Sequence, residues 1–169
     1  NLKRKQIMRR SGIQFSRAVV HLFGNTEDIF IGTDHASVEA FEAARSYNLI
    51  SVLDMGSAAL GFMNKIYLEE MQYTSEFAES IQPFIWSKDM LELAEREIWL
   101  ADYFIVGSSF VKKSLLHLGI DDNHIFVAPY GADLSLFSPS EKKEVVSTNQ
   151  LMKLLYVGTV AQHKGISYL

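Results

Sequence analysis

Five short apolar runs punctuate the chain, and helical periodicity fills most of the intervals between them. "DIFIG" (28–32), "LISVLDMG" (49–56), "DYFIVG" (102–107), "HIFVAP" (124–129) and "KLLYVG" (153–158) are rich in β-branched and aromatic residues. That pattern predicts five buried strands. "HASVEAFEAARSY" (35–47) has the spacing of a helix, with Val38, Phe41 and Arg45 on one face. Two longer helical stretches are predicted over about 60–80 and 86–101, the second opening with Ser87 as a cap and acidic first-turn residues. A further helix is predicted over 109–118, stopped by Gly119 in a left-handed cap.

Near-continuous apolar strands alternating with helices predict a doubly wound α/β layout, a parallel sheet covered on both faces. Residues of the helix-capping type follow the strand ends: Thr33, Asp34, Ser57, Ser108 and Ser109. Ligands bind at the carboxyl ends of strands in such sheets, so these loops are where function is expected. "SPSEKKEVVSTNQ" (138–150) is polar and without periodicity, and reads as a linker between a first domain, 1–137, and a second unit, 151–169. The second unit holds one strand, a turn and the first turn of a helix, so the expectation is a piece of a longer polypeptide.

Composition narrows the class. With 169 residues, 48% of them hydrophobic, the chain can bury one ordinary core. A formal net charge of −4 speaks against nucleic acid as a partner. The absence of cysteine excludes disulfides and thiolate metal sites and suits a reducing, cytoplasmic setting. No apolar run approaches the roughly 18 residues of a membrane span. Charge is nevertheless uneven: Lys3, Arg4, Lys5, Arg9, Arg10 and Arg17 all precede the first acid, Glu27. Such a stretch is either a solvated helix face or a contact for anionic membrane headgroups or a phosphorylated substrate.

The last third of the chain carries a more specific pattern. "ADYFIVGSSFVKKSLLHLGI" is followed by "IFVAPYGADLSLFSP" and then by "LLYVGTVAQHKG". These segments, in this order and spacing, resemble the GT-B fold glycosyltransferases of the large retaining family 4. The matching positions are Ser108 or Ser109, then Pro129, Tyr130, Gly131, Asp133 and Phe137, then Gly158, Lys164 and Gly165. The resemblance is firm over about 101–169 and fainter over 28–100. It implies a Rossmann-like parallel sheet with helices on both faces, truncated here. It also implies a retaining transferase that moves a sugar from a nucleotide-sugar donor to an acceptor hydroxyl, without a separate cofactor.

Under that resemblance Gly158, Lys164 and Gly165 form the donor turn, the glycines admitting backbone amides to a diphosphate and the lysine supplying a mobile cation. The family usually has arginine after the first glycine; Thr159 stands here and leaves one cation fewer. His163 in the same turn is expected to be solvated. On the acceptor side the resemblance points to the loops bearing Asp34, His35, Asp54 and Ser57, with Ser108, Gly131 and Asp133 at the cleft mouth. Capping and loop bonds are competing roles for Asp34, His35, Asp54 and Ser57. The histidine that many relatives carry near Ser57 has no counterpart among Gly56 to Ala59, so no catalytic residue is assigned. Gly131 is expected to be left-handed, Asp133 to bond its own loop amides, and Phe137 to anchor the chain before the linker. Trp86 and Trp99 are expected in the core. Ser109 and Lys112 share the spacing of some acyl-transfer enzymes, but a cap and a surface lysine account for them.

The family's acidic donor residues lie past position 169, so this chain alone is expected to be inactive. The scattered histidines predict no metal site. Acceptors of polysaccharide, lipid-linked and small-molecule type all fit. The alternatives are a ligand-binding or regulatory α/β module without chemistry, and an epimerase of related layout.

Overall fold

The computed structural model describes residues 2–24, 26–138 and 154–169. Among them, β1 (Ile29–Thr33), β2 (Ile50–Met55), β3 (Tyr103–Val106) and β4 (Ile125–Val127) form one sheet in the order β1-β2-β3-β4. Every neighbouring pair is parallel. Six α-helices accompany the sheet: α1 (Leu2–Val20), α2 (Val38–Ser46), α3 (Leu60–Tyr73), α4 (Ala78–Ile81), α5 (Lys88–Leu100) and α6 (Ser109–His117). The fold is α/β with an all-parallel sheet, as expected of a Rossmann-like layout. The helix predicted over 60–80 is interrupted. Thr74 leaves helical geometry at φ −123° and ψ 60°, and its Oγ1 donates back to the Glu70 carbonyl at 2.9 Å.

Most of the core lies on one side of the sheet, although Val52 of β2, on the other side by strand alternation, is also buried. Leu53 and Met55 of β2, Phe104 and Val106 of β3 and Ile125 of β4 pack against Phe41, Ile98, Val111 and Leu115 of α2, α5 and α6. Strand alternation sends Ile29, Ile31, Ile50 and Phe126 to the opposite face. All four are exposed, Ile31 by 58% and Phe126 by 56%. The expectation of helices on both faces is therefore met on one face only among the described residues. The strand order explains it: right-handed crossovers between successive neighbouring strands carry each connecting helix to the same side.

Helix starts are capped from a distance more than by their own neighbours. Ser37 precedes α2 but its hydroxyl donates to the Thr33 carbonyl at 2.8 Å, and the Ala40 amide is taken by the fully buried Ser16 of α1 at 2.8 Å. Ala59, not Ser57, precedes α3, and its amide donates to Ser114 Oγ of α6 at 3.0 Å. Ser87 makes no side-chain cap for α5. Ser108 does cap α6, accepting from the Val111 amide at 3.3 Å. Gly119 has the expected left-handed φ of 89°.

Other expectations change. In α2, Val38 and Phe41 are buried but Arg45 is exposed, and Ala44 completes the inner face. Trp99 is 53% exposed and Phe137 71% exposed, so neither packs as an anchor. Residues 154–158 form no strand; Leu154, Leu155 and Val157 are exposed. An apolar run becomes a strand only with a partner, and none pairs with it among the described residues. The predicted linker lies outside the described residues apart from Ser138. The segment after it contacts α3 and α4. Gln162 is buried, donating from its amide nitrogen to Glu70 Oε1 of α3 at 2.7 Å and from its backbone to Ser80 Oγ of α4 at 3.1 Å.

Candidate functional site

A cleft of about 400 Å³ opens at the carboxyl ends of the strands. His35, Ser57 and Ser108 supply its polar groups, and Tyr67, Trp86 and Phe110 form much of its wall. All of them but Tyr67, which stands midway along α3, come from a loop or a helix start near the strand ends, where such clefts form. A second hollow of about 320 Å³ opens on the α1 side of the 34–36 loop, and His35 and Trp86 line both. Those two rings, 6.4 Å apart, are the wall between them.

The loop carrying Asp34 and His35 is held from below by Glu97 of α5. Its buried carboxylate accepts from the His35 amide at 2.7 Å and from the Ser37 amide at 2.6 Å. Burial pushes this carboxyl up to about 7, against the pull of the two amide bonds, and the nearby Asp34 charge adds to the rise. From above, α1 crosses the loop at Gly12. A β-carbon at Gly12 would lie 2.5 Å from the His35 carbonyl oxygen, so the crossing requires glycine. Between these supports His35 takes a φ of 70°, uncommon for a non-glycine residue. Its Nδ1 is enclosed and has no hydrogen-bond partner among the described residues.

Asp34 accepts the Ser57 hydroxyl at 3.1 Å, which ties the ends of β1 and β2 together. Trp86 is fixed by Asn64 of α3, whose Oδ1 accepts from the Trp86 amide at 2.8 Å. Lys5 of α1 places its ammonium 4.4 Å from the indole centroid, and burial lowers the pKa of that amine. Over the ends of β2 and β3 lies Tyr130. A β-carbon at Gly56 would meet the tyrosine hydroxyl at 2.8 Å, and one at Gly107 would meet its ring at 3.1 Å. Two glycines thus make room for one aromatic ring.

The structure brings together His35, Ser57 and Ser108, with Asp34 behind them. It does not bring Asp54, which does not line the cleft: it follows the strand alternation onto the helix-free face, where it is exposed. Asp133 bonds its own loop, accepting from the Ser135 amide at 2.9 Å and hydroxyl at 2.6 Å, and the hydroxyl bond holds its carboxyl below the usual range. Gly131 is exposed and does not have a positive φ, so the left-handed turn expected there is absent. Lys164 is exposed at the end of a short 3₁₀ turn, and Gly165 follows with a left-handed φ of 71°. His163 is not solvated as expected: its ring lies 4.0 Å from that of Phe84, which also lines the cleft. The turn therefore touches the cleft wall through this pair.

Glu97 was not singled out from the sequence, although a signal exists. Met90, Ala94, Glu97 and Ile98 share the buried face of α5, and a carboxylate within an apolar helical stripe marks a special position. Among the described residues no cluster of three or more His, Asp or Glu side chains is arranged to hold a metal, and no helix is long and apolar enough to cross a membrane. Comparison of the chain with family models, curated proteins and solved structures finds no match.

Proposed function

We propose that this chain carries the acceptor cleft and the opening of the donor site of a GT-B type glycosyltransferase. The donor is a nucleotide sugar, the acceptor a hydroxyl, and the setting cytoplasmic, with a place at the membrane surface if the acceptor is lipid-linked. The observation that supports this most is the cleft at the carboxyl ends of the parallel strands, its hydroxyls and imidazole set in an aromatic wall. Hydroxyls and imidazole make directional bonds to a sugar, while Tyr67, Trp86 and Phe110 offer faces for an apolar body attached to it. Lys164 would supply charge to the departing diphosphate. Its turn meets the cleft wall at Phe84, a position compatible with a donor bound beside the acceptor.

Replacing Lys164 with alanine in a polypeptide that continues through the second domain is expected to lower kcat/KM by roughly 10–100-fold, the loss of one charge-assisted bond. Steady-state assay with a panel of nucleotide sugars measures it. Unchanged kinetics would remove Lys164 from the mechanism. One observation favours a second reading, a self-contained module without chemistry: Gln162 is buried against α3 and α4 instead of opening a separate domain. That reading expects no turnover from the extended polypeptide with any donor.

A further inference from the structure

We propose that α1 is an interfacial helix whose outer face lies on an anionic lipid bilayer. Two contacts fix which face is outward. Gly12 sits against the His35 carbonyl, and Ser16 is buried where it bonds the Ala40 amide, so the side bearing these residues is turned inward. Turning outward from that side, the exposed arc carries Phe15, 58% exposed, and Ile7, 63% exposed, with Met8 at the margin nearest Gly12 and Leu22 just past the helix. Lys3, Arg10 and Arg17 are spaced seven apart and exposed, so they form one row along the edge of this apolar stripe. Arg17 approaches Glu39 at 3.9 Å yet remains 72% exposed. An exposed apolar stripe flanked by a basic row is the pattern of a helix that lies in the plane of a membrane surface.

A second feature points the same way. The first turn of α1 contains no acid, while Lys3 lies exposed at its start. A cation there opposes the helix dipole, a local conflict that a negatively charged surface relieves. The stripe also discriminates between partners. An antiparallel two-fold dimer through this face would set the row of Lys3, Arg10 and Arg17 near its own copy, like charge beside like charge. A nucleic-acid backbone would meet the cations but has nothing to cover Ile7 and Phe15. A bilayer with acidic headgroups satisfies both. This inference does not depend on whether the cleft transfers a sugar, since vesicle binding requires neither donor nor acceptor.

The test is co-sedimentation of the 169-residue chain with phosphatidylcholine vesicles, with and without roughly one-third phosphatidylglycerol, across a salt series. Binding to the acidic vesicles only, weakening as salt rises, is expected. The triple variant Lys3→Glu, Arg10→Glu, Arg17→Glu should lower it by roughly a hundredfold. The double variant Ile7→Ser, Phe15→Ser should lower it by roughly tenfold or more. Both sets are exposed, so circular dichroism and thermal unfolding should stay close to the parent. Equal binding to neutral vesicles, or none to acidic ones, would overturn the proposal. So would unchanged binding of the serine variant, which means charge adhesion alone, or a dimer in solution that the serine variant dissolves, which means a second copy covers the face.

Discussion

Glu97→Ala is expected to destabilise the fold by about 2–5 kcal/mol, because it strands two buried backbone amides at once. The His35 and Ser37 amides both end on this carboxylate, and at the start of α2 no side-chain cap replaces it. Denaturant unfolding measures the loss, and a change below about 1 kcal/mol would show that the loop finds other partners. The same carboxyl gives the parent a pH dependence of definite sign. Its folded pKa, about 7, lies above the ordinary glutamate value of 4.5. The folded state therefore holds the proton more tightly than the unfolded chain does. The stability this contributes is fully present below about 4.5 and is lost as pH rises through 7. A shift of this size is worth about 3 kcal/mol, so the parent should unfold at higher denaturant at pH 4.5 than at pH 8, once other groups are matched. Glu97→Gln keeps an acceptor for the amides and removes the titration. It should flatten that slope while sparing most of the stability. A slope that persists in Glu97→Gln would assign it to another group.

Phe104→Ala should destabilise by about 3–5 kcal/mol, whereas Phe126→Ala, one strand away, should change stability by less than about 1 kcal/mol. Both phenylalanines sit in parallel strands, and the sequence gives no reason to treat them differently. Phe104 is 1% exposed and packed in the core cluster; Phe126 is 56% exposed on the helix-free face. Truncating the first leaves a cavity whose lining loses its contacts, while truncating the second removes a side chain already in water. Thermal or denaturant unfolding of the pair compares the two faces directly. Equal large losses would mean that the Phe126 face is covered, and the one-sided sheet described above would be wrong.

The candidate site was legible in part. Of the two serines expected to cap α6, Ser108 does and Ser109 is instead the first helical residue, while the strand-end loops of β1, β2 and β3 meet in a cleft as expected. The Asp34–Ser57 bond and the Tyr130 ring over Gly56 and Gly107 could not be read, because each joins residues brought close only by the sheet. Asp54 was misplaced for a related reason. One residue of strand alternation decides whether a side chain faces the cleft or the far side, and an apolar run does not announce its register.

From the sequence alone five parallel strands are expected, and four of them form, with helices between them, because apolar runs and helical periodicity are local properties of the chain. The sequence likewise determined where α6 starts and stops, since the serine and glycine that bound it act within a turn of themselves. The tertiary structure alone decided which face of the sheet is packed, that Ser16 and Ser114 cap helices they do not belong to, and that a glutamate in α5 holds the loop of His35. It also decided that 154–158 forms no strand despite its apolar run. The reason is common to all four. Strand order, remote capping and strand pairing depend on partners distant in sequence, and no local pattern records the partner.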